Sequence, residues 1–445
     1  MKTTLIKNAK LVNEGEIYHA DVYIKGTFIE KIERQGIAMA ADEVIDAQGL
    51  YLLPGLIDDQ VHFREPGLTH KGEIYTEAKA AVAGGITSYM EMPNTSPSAT
   101  TIELLEQKYQ RASACSLANY SFFMGTTNTN LSELLKVDPS TVCGVKIFMG
   151  SSTGDMLVDD PNALEQIFAQ VKTLIATHCE NDPMVKQNQA AVLAEFGEDI
   201  DASFHPKIRN EEACYTSSAF AVSLAKKYGT RLHILHISTA KELDLFDNTL
   251  PLVQKKITAE ACVHHLWFSD ADYATKGNWI KWNPAVKKAS DRDAILQAVI
   301  DNRIDVIATD HAPHTIEEKE NKYIKAPSGG PLVQHSLNAL LQLHKEGKIS
   351  LEKIVEKACH NVAILFEIDR RGYIREGFYA DLVLVDLNQS YTVNKENILY
   401  KCGWSPFEGQ TFDSSIRKTF VNGHLVYNEG QFDESSLGMR MRFNR

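Results

Sequence analysis

The stretch that decides the fold is LPGLIDDQVHFREPG, residues 53–67, in which an apolar run leads directly into charged and polar side chains. Alternate residues of a strand point to the same side, so Gln60, His62 and Arg64 would share one surface where this strand ends. In parallel α/β barrels the active site lies at the carboxyl ends of the strands. The stretch therefore predicts the first strand of such a barrel.

The middle of the chain alternates apolar strands with helical segments, as a parallel (β/α)8 barrel requires. A helix is predicted between Asn210 and Gly229, with acidic residues in its first turn and lysines in its last, which suits the helix dipole. The sequence thus predicts an α/β fold of the TIM-barrel type. The eight candidate strands end at or near His62, Asn94, Gly125, Lys146, His178, His236, Glu260 and Asp310.

Both ends of the chain have a β pattern without helices. Residues 21–32 read as two strands around a glycine turn, and residues 419–427 contain Asn422-Gly423, a strong hairpin signal. Together the terminal segments predict one small β-sandwich beside the barrel. The predicted boundaries give an N-terminal sandwich part, the barrel and a C-terminal sandwich part: residues 1–52, 53–368 and 369–445.

Size and composition restrict the possible functions. The 445 residues accommodate a barrel of about 250 to 350 residues plus an accessory domain. The 46 Lys and Arg against 58 Asp and Glu give a formal charge of -12, which argues against a nucleic-acid or anionic-membrane surface. No apolar run approaches the ~18 residues that span a bilayer. The seven cysteines form no C-x-x-C pair. We expect a cytoplasmic protein with no nucleic-acid and no membrane partner.

Five residues at the predicted strand ends have side chains that point to a metal site. Neutral imidazoles and a carboxylate are ordinary zinc ligands, and a catalytic zinc site keeps one position open for water. A lone histidine at a strand end is more often a hydrogen-bonded bystander, but five suitable residues at separate strand ends rarely meet by chance. The five are His62, Lys146, His178, His236 and Asp310.

Two positions depart from a simple zinc site. Lys146 is a cation, so its residue type alone favours an ion pair over a metal ligand. Carboxylation by CO2 would turn it into an anion that can bridge two metals, which together generate a hydroxide and polarise a carbonyl. Gln60 stands where many metal hydrolases have a histidine, and an amide oxygen binds a divalent cation more weakly than an imidazole does. That substitution leaves open whether the chain is active or a disabled relative.

The motifs resemble those of dihydroorotases in the cyclic amidohydrolase family, nearly from end to end. That resemblance implies a (β/α)8 barrel flanked by a β-sandwich from both termini. The motifs are FREPG at 63–67, AGGIT at 83–87, MPNT at 92–95, GVKIF at 144–148, HCE at 178–180, HIST at 236–239 and TDHAPH at 309–314.

The resemblance also implies a set of metal ligands. It implies two zinc ions bridged by a carboxylated Lys146, and it overturns the ion pair that residue type alone favours. The amide of Gln60 would weaken one of the two sites. The remaining ligands would be His62 and Asp310 at that site, and His178 and His236 at the other.

The implied reaction is the reversible hydrolysis of the ring amide of dihydroorotate to N-carbamoyl-L-aspartate, a step of pyrimidine synthesis. Asp310 would take a proton from the attacking hydroxide and pass it to the leaving ring nitrogen. The substrate carboxylate needs cationic or amide donors, which Arg64, Asn94 and His314 offer. Asn283 matches a family position that contacts the ring.

Several alternatives stay open. They are an allantoinase, a dihydropyrimidinase-like or hydantoinase-like cyclic amidase, and a non-catalytic dihydroorotase-like protein that serves as a structural partner, for example of a transcarbamoylase. The family often forms dimers, so a homodimer is a further expectation. The long segment 314–331 is predicted to be a lid or a substrate-contacting loop. His264 and His265 are predicted to be structural, because neighbouring strand residues face opposite ways.

Overall fold

The strands form a parallel set in the middle of the chain and a mostly antiparallel set from its two ends. The structure is a computed structural model that describes residues 1–151 and 156–445. The first set comprises β6 to β14. In chain order the strands are β1 (Thr3–Asn13), β2 (Glu16–Lys25), β3 (Phe28–Glu33), β4 (Glu43–Asp46), β5 (Tyr51–Pro54), β6 (Leu56–Val61), β7 (Ile86–Glu91), β8 (Asn119–Phe122), β9 (Met124–Gly125), β10 (Val145–Phe148), β11 (Ile175–His178), β12 (Leu232–Ile234), β13 (Ile257–Cys262), β14 (Val306–Ala308), β15 (Leu382–Asp386), β16 (Tyr391–Thr392), β17 (Thr411–Phe412), β18 (Ser415–Val421), β19 (His424–Asn428) and β20 (Gln431–Phe432).

The parallel strands form the barrel. Strands β6 to β8 make one sheet and β9 to β14 another, and β8 and β9 follow each other with only Phe123 between them. The last strand returns to the first, because the His62 backbone N–H donates to the His311 carbonyl at 2.7 Å and Val61 pairs in parallel with His311. The predicted α/β barrel is confirmed.

Strands from both ends of the chain form a separate nine-stranded sheet. Its central pairing joins the termini, since β15 runs antiparallel to β5 with Leu384 opposite Leu52. The two predicted hairpins are present, with Gly26 between β2 and β3 and Asn422-Gly423 between β18 and β19. The accessory β domain built from both termini is therefore confirmed, whereas the boundaries after residues 52 and 368 remain predictions.

The helices lie mainly between the barrel strands. The predicted helix after Asn210 is confirmed as α7: the Asn210 side chain accepts from the Ala213 N–H, and Gly229 ends the helix in the left-handed conformation. No helix within residues 1–151 and 156–445 is long and apolar enough to cross a membrane. The helices are α1 (Ile74–Ala83), α2 (Ile102–Ser113), α3 (Leu131–Leu134), α4 (Pro161–Gln170), α5 (Asp182–Phe196), α6 (His205–Ile208), α7 (Glu211–Tyr228), α8 (Val263–Trp267), α9 (Tyr273–Lys276), α10 (Ala289–Ile300), α11 (Ile316–Lys319), α12 (Ser336–Lys345), α13 (Leu351–Val355) and α14 (Asn361–Phe366).

A register shift in β6 determines which side chains face the inside of the barrel. The pairing of β6 with β7 is irregular between Asp58 and Val61, which breaks the simple alternation of a strand. Asp58 accepts a hydrogen bond from the Thr309 hydroxyl at 2.6 Å. Asp59 contacts His233 on β12, and Gln60 contacts Cys262 on β13 as well as Asp310, which follows β14. Two consecutive polar side chains of β6 are therefore available inside the barrel.

Candidate active site

A pocket with a volume of about 460 Å³ lies at the carboxyl ends of the barrel strands. The structure brings together at this pocket all nine residues that the sequence predicts for the site, and Gln60 lines it as well. The nine are His62, Arg64, Asn94, Lys146, His178, His236, Asn283, Asp310 and His314.

One group in the pocket is centred on a single oxygen of Asp310. His62 Nε2 lies 3.2 Å from Asp310 Oδ1, and His62 Nδ1 lies 2.7 Å from the Asn94 side-chain oxygen. Because an amide oxygen only accepts, Nδ1 of His62 carries the proton and Nε2 presents its lone pair to Asp310. Burial lowers the pKa of His62 well below its ordinary value, so the ring is neutral. His62 Nε2 and Asp310 Oδ1 therefore face each other in an arrangement that would allow both atoms to bind one cation.

A second group consists of two imidazoles that face each other. His178 Nδ1 lies 2.9 Å from His236 Nε2, and His178 Nε2 lies 2.9 Å from Glu180 Oε2. The carboxylate of Glu180 fixes the proton of His178 on Nε2, which leaves the Nδ1 lone pair directed at His236. Burial lowers the pKa of both rings. With that lone pair as the acceptor, His236 Nε2 carries the proton of this hydrogen bond; a shift of that proton to Nδ1, which has no partner among the described residues, would leave two nitrogens able to bind a divalent cation.

Lys146 lines the same pocket and has no ion-pair partner within 4 Å among the described residues. Its side chain is fully buried, its Nζ has no hydrogen-bond partner among those residues, and Nζ lies 4.6 Å from the centroid of the Phe148 ring. Burial lowers the pKa of Lys146 to about 8. The ion pair that residue type alone would favour is not found in residues 1–151 and 156–445. A buried, partly neutral amine is the form that reacts with CO2.

Asp310 has a protonation equilibrium suited to proton transfer. Burial raises its pKa to about 7, although His178, Lys146 and Arg64 oppose the shift. Its carboxyl group can therefore gain and lose a proton near neutral pH.

Glu180 and Arg209 support His178 and were not predicted from the sequence. Arg209 Nη1 lies 2.6 Å from Glu180 Oε2, the oxygen that also bonds to His178. Burial opposes ionisation of Glu180, but the charge of Arg209 and the bond from His178 outweigh it and hold the pKa of Glu180 well below its ordinary value. Glu180 stands in the HCE motif, whereas no local signal marks Arg209.

The other end of the pocket is cationic. Arg64 donates to the Pro313 carbonyl from Nε at 3.1 Å, and its Nη2 lies 3.1 Å from His314 Nε2. Burial lowers the pKa of Arg64 only to about 10, so its charge persists at neutral pH. Lys71, which the sequence did not reveal, lines the same end, with Nζ 3.2 Å from His314 Nδ1 and 3.0 Å from Glu318 Oε1. This end of the pocket suits an anion.

The segment 314–331 contacts the pocket, as the sequence predicts. Pro327, Ser328 and Gly329 belong to the pocket wall. The buried Lys319 holds them there by donating to the Gly329 carbonyl at 2.7 Å and to the Pro327 carbonyl at 3.1 Å.

Three site residues have a left-handed backbone conformation. The φ angles are 71° at Arg64, 40° at His236 and 49° at Asp310. Each such conformation costs a residue other than glycine about 1–3 kcal/mol, and it persists where the surrounding structure fixes it. Strain of this kind gathers at functional sites, which agrees with the position of the three at one pocket.

Comparison with known proteins assigns the family. Residues 51–426 match the model of the Amidohydrolase family. Proteins named dihydroorotase are similar over most of the chain: one from Halobacterium salinarum is 33% identical and covers 85% of this chain and 87% of its own. One from Staphylococcus epidermidis is 31% identical, with coverage of 96% and 99%. The predicted resemblance to dihydroorotases is confirmed.

Solved structures that resemble the fold bear other names. The L-hydantoinase (dihydropyrimidinase) of Arthrobacter aurescens superposes with a TM-score of 0.91 at 26% identity, covering 97% of this chain and 98% of its own. The dihydropyrimidinase of Brevibacillus agri gives 0.86 at 25% identity, with coverage of 97% and 96%. Both groups of relatives carry names of enzymes that act on cyclic amides. The chain therefore belongs to the amidohydrolase family and is a hydrolase that acts on cyclic amides.

Proposed function

We propose that this cyclic amidohydrolase is a zinc-dependent dihydroorotase, which interconverts dihydroorotate and N-carbamoyl-L-aspartate in pyrimidine synthesis. The observation that carries the proposal is the buried Arg64, with Lys71 and His314 beside it, in the same pocket as Asp310. Dihydroorotate combines a cyclic amide with a carboxylate, so its two functional groups match the two ends of this pocket.

The donor set supports two metal ions. His62 and Asp310 would hold one ion, and His178 and His236 the other. A carboxylated Lys146 would join the two sites, and its buried amine, which has no hydrogen-bond partner among the described residues, is the observation that supports this modification. Bound zinc ions would acidify a water molecule and polarise the ring carbonyl.

The residues of the chain itself would bind the ring and move the proton. The guanidinium of Arg64 offers a planar fork for the substrate carboxylate. Asn94 and His314 would complete that contact. The side-chain oxygen of Asn283 is buried without a partner among the described residues, so it can accept from a ring N–H. Asp310, whose Oδ1 lies 3.2 Å from His62 Nε2, would accept the proton of the attacking water and deliver it to the ring nitrogen that leaves.

The cationic end of the pocket separates this proposal from its rivals. Hydantoin, dihydrouracil and allantoin carry no carboxylate, so none of them would give the buried guanidinium of Arg64 an anionic partner. A non-catalytic partner protein would require none of the converging ligands. A cytoplasmic location and a homodimer also belong to the proposal, and size-exclusion chromatography with light scattering tests the dimer.

The deciding experiment is an assay of purified protein loaded with zinc, manganese or cobalt. We expect ring opening of dihydroorotate and ring closure of N-carbamoyl-L-aspartate. Absence of turnover with all three metals would contradict an enzyme of this kind. Faster opening of allantoin than of dihydroorotate would contradict the substrate while leaving the reaction class intact.

A further inference from the structure

A second group of potential metal ligands lies inside the barrel, apart from the pocket. It consists of Asp59 on β6, His233 on β12 and Glu260 on β13, whose side chains are completely buried. One donor atom from each lies within 4.8 Å of the others. None of the three lines the pocket. We call these residues the inner cluster.

The inner cluster contains polar atoms that have no hydrogen-bond partner within residues 1–151 and 156–445. They are both carboxylate oxygens of Asp59, Oε2 of Glu260 and Nε2 of His233. Buried polar atoms in proteins are almost always paired, and leaving them unpaired is costly. His233 Nε2 and Asp59 Oδ2 nevertheless lie at ion-pair distance, 3.2 Å apart, so either a proton on Nε2 or a cation bound among these four atoms would satisfy them.

Hydrogen bonds on the far side of the imidazole fix the orientation of His233. The Thr258 hydroxyl donates to the Leu232 carbonyl at 3.2 Å, so its oxygen is the acceptor for His233 Nδ1 at 2.9 Å. With one proton on Nδ1, the ring directs Nε2 at the two carboxyl groups. Burial lowers the pKa of His233, but the side chains of Asp59 and Glu260 outweigh it and raise that pKa to about 9, so Nε2 carries a second proton at neutral pH, which a bound metal ion would replace. A histidine anchored through one nitrogen and directed at carboxylates through the other has the arrangement found in metal sites.

Glu260 likewise presents only one free oxygen. Its Oε1 accepts from the His236 backbone N–H at 2.9 Å and from the Cys262 thiol at 3.2 Å. The second oxygen, Oε2, remains for the inner cluster and lies 3.8 Å from His233 Nε2. Glu260 therefore joins the inner cluster to the backbone of a proposed pocket ligand.

The spacing of the donors suits one small ion. Ligand atoms at ~2.1 Å from a tetrahedral zinc ion are about 3.4 Å apart. In the inner cluster, His233 Nε2 lies 3.2 Å from Asp59 Oδ2 and 3.8 Å from Glu260 Oε2. Only small shifts of the side chains would close these distances around an ion, and the two carboxylates would balance its two charges.

We propose that Asp59, His233 and Glu260 bind a further divalent transition-metal ion of the zinc or manganese class, distinct from the metal pair of the pocket. The ion would hold β6, β12 and β13 together beneath the pocket. It would also stabilise the base of the pocket, because Cys262 links Glu260 to Gln60. The Cys262 sulfur lies 3.2 Å from Glu260 Oε1 and 3.8 Å from Gln60 Oε1. This inference does not depend on the identity of the substrate.

The first test is the metal content of zinc-saturated protein by plasma mass spectrometry. Asp59→Asn and Glu260→Gln should each bind one ion fewer per chain than the wild type. Asp291→Asn is the matched control, because Asp291 is also a buried carboxylate but accepts from the Ala240 N–H and does not belong to the inner cluster. Its metal content should equal that of the wild type. Unchanged content in both cluster variants would overturn the proposal.

The second test uses wild-type crystals, so it does not depend on how the variants fold. Anomalous scattering at the zinc edge should give a peak between Asp59, His233 and Glu260, separate from any peak at the pocket. Absence of that peak from zinc-soaked crystals would overturn the proposal and leave an imidazolium of His233 to balance the carboxylates. Neither test measures activity, so failure of the metal-site proposal is distinguishable from failure of the proposed function.

Discussion

The side-chain amide of Gln60 donates a hydrogen bond from Nε2 to Oδ1 of Asp310 at 3.1 Å. The same oxygen faces His62, while the Gln60 oxygen points away, 3.8 Å from the Cys262 sulfur. An N–H group repels a cation, so Gln60 can contribute a ligand atom only after its amide turns over. We therefore expect the proposed metal position at His62 and Asp310 to bind its ion more weakly than the other proposed position.

Replacement of Gln60 by histidine tests this weakness. Gln60→His should tighten binding at that position by about tenfold or more, equivalent to ~1.4 kcal/mol, because an imidazole nitrogen replaces an amide. Titration of metal-free protein in competition with a chelator measures the two affinities. Gln60→Leu is the control and should not tighten binding. Equal affinities for wild type and Gln60→His would show that Gln60 lies outside the metal's ligand set.

Carboxylation of Lys146 should depend on pH in a defined direction. Burial lowers the pKa of Lys146 to about 8, and only the neutral amine attacks CO2. The neutral fraction falls about tenfold for each pH unit below that pKa, so carboxylation at constant dissolved CO2 should slow about tenfold from pH 7 to pH 6. Carbon-13 NMR with labelled bicarbonate measures the carbamate. A carbamate signal that persists in Lys146→Met would refute the assignment.

Glu180 should act on metal affinity through His178. Glu180→Gln keeps the shape of the side chain but removes the charge that fixes the His178 proton on Nε2. Loss of such a supporting carboxylate typically lowers metal affinity about 10–100-fold. The measurement is the dissociation constant of the more tightly bound ion. Glu106→Gln, a partly exposed control that contacts Arg440, should leave that constant unchanged. An unaffected Glu180→Gln protein would contradict the role.

Arg64 should serve the substrate and not the metal. Arg64→Met should lower kcat/KM for dihydroorotate, because the substrate carboxylate loses a buried partner. The expected decrease is equivalent to a loss of about 2–5 kcal/mol of transition-state stabilisation. Metal content should stay at the wild-type value. Arg111→Met is the control, since Arg111 is a half-exposed arginine paired with Glu65 outside the pocket. Loss of metal from Arg64→Met would show that its role is misassigned.

The fold and much of the site follow from local sequence patterns. The strand that ends at His178 and the helix between Asn210 and Gly229 lie where the sequence predicts them, because apolar runs and capping residues are local signals. A parallel barrel brings the carboxyl ends of its strands together, so predicting the strand ends also predicted which residues would meet. Lys146 is the clearest case, since it lines one pocket with His62 and Asp310, which are remote from it in the chain.

Contacts between distant segments could not be predicted. Lys71 and Arg209 lie on connections between barrel strands, and no periodic pattern shows that either reaches the pocket or its ligands. His264 and His265 are buried and lie on α8, not on a strand, so the strand alternation from which we predicted a structural role is wrong, while the role itself stays a prediction. The inward orientation of the Asp59 side chain could not be predicted for a different reason. The register shift in β6 breaks the alternation by which strand residues are assigned to one side or the other.

The most direct test of the proposed function compares two substrates that differ in one group. Dihydrouracil is dihydroorotate without its carboxylate, so the ratio of their kcat/KM values measures what the cationic end of the pocket contributes. For metal-loaded wild-type protein we predict a ratio of at least about 100 in favour of dihydroorotate, equivalent to ~2.7 kcal/mol. A ratio below one would contradict a dihydroorotase and place the chain with the dihydropyrimidinases instead.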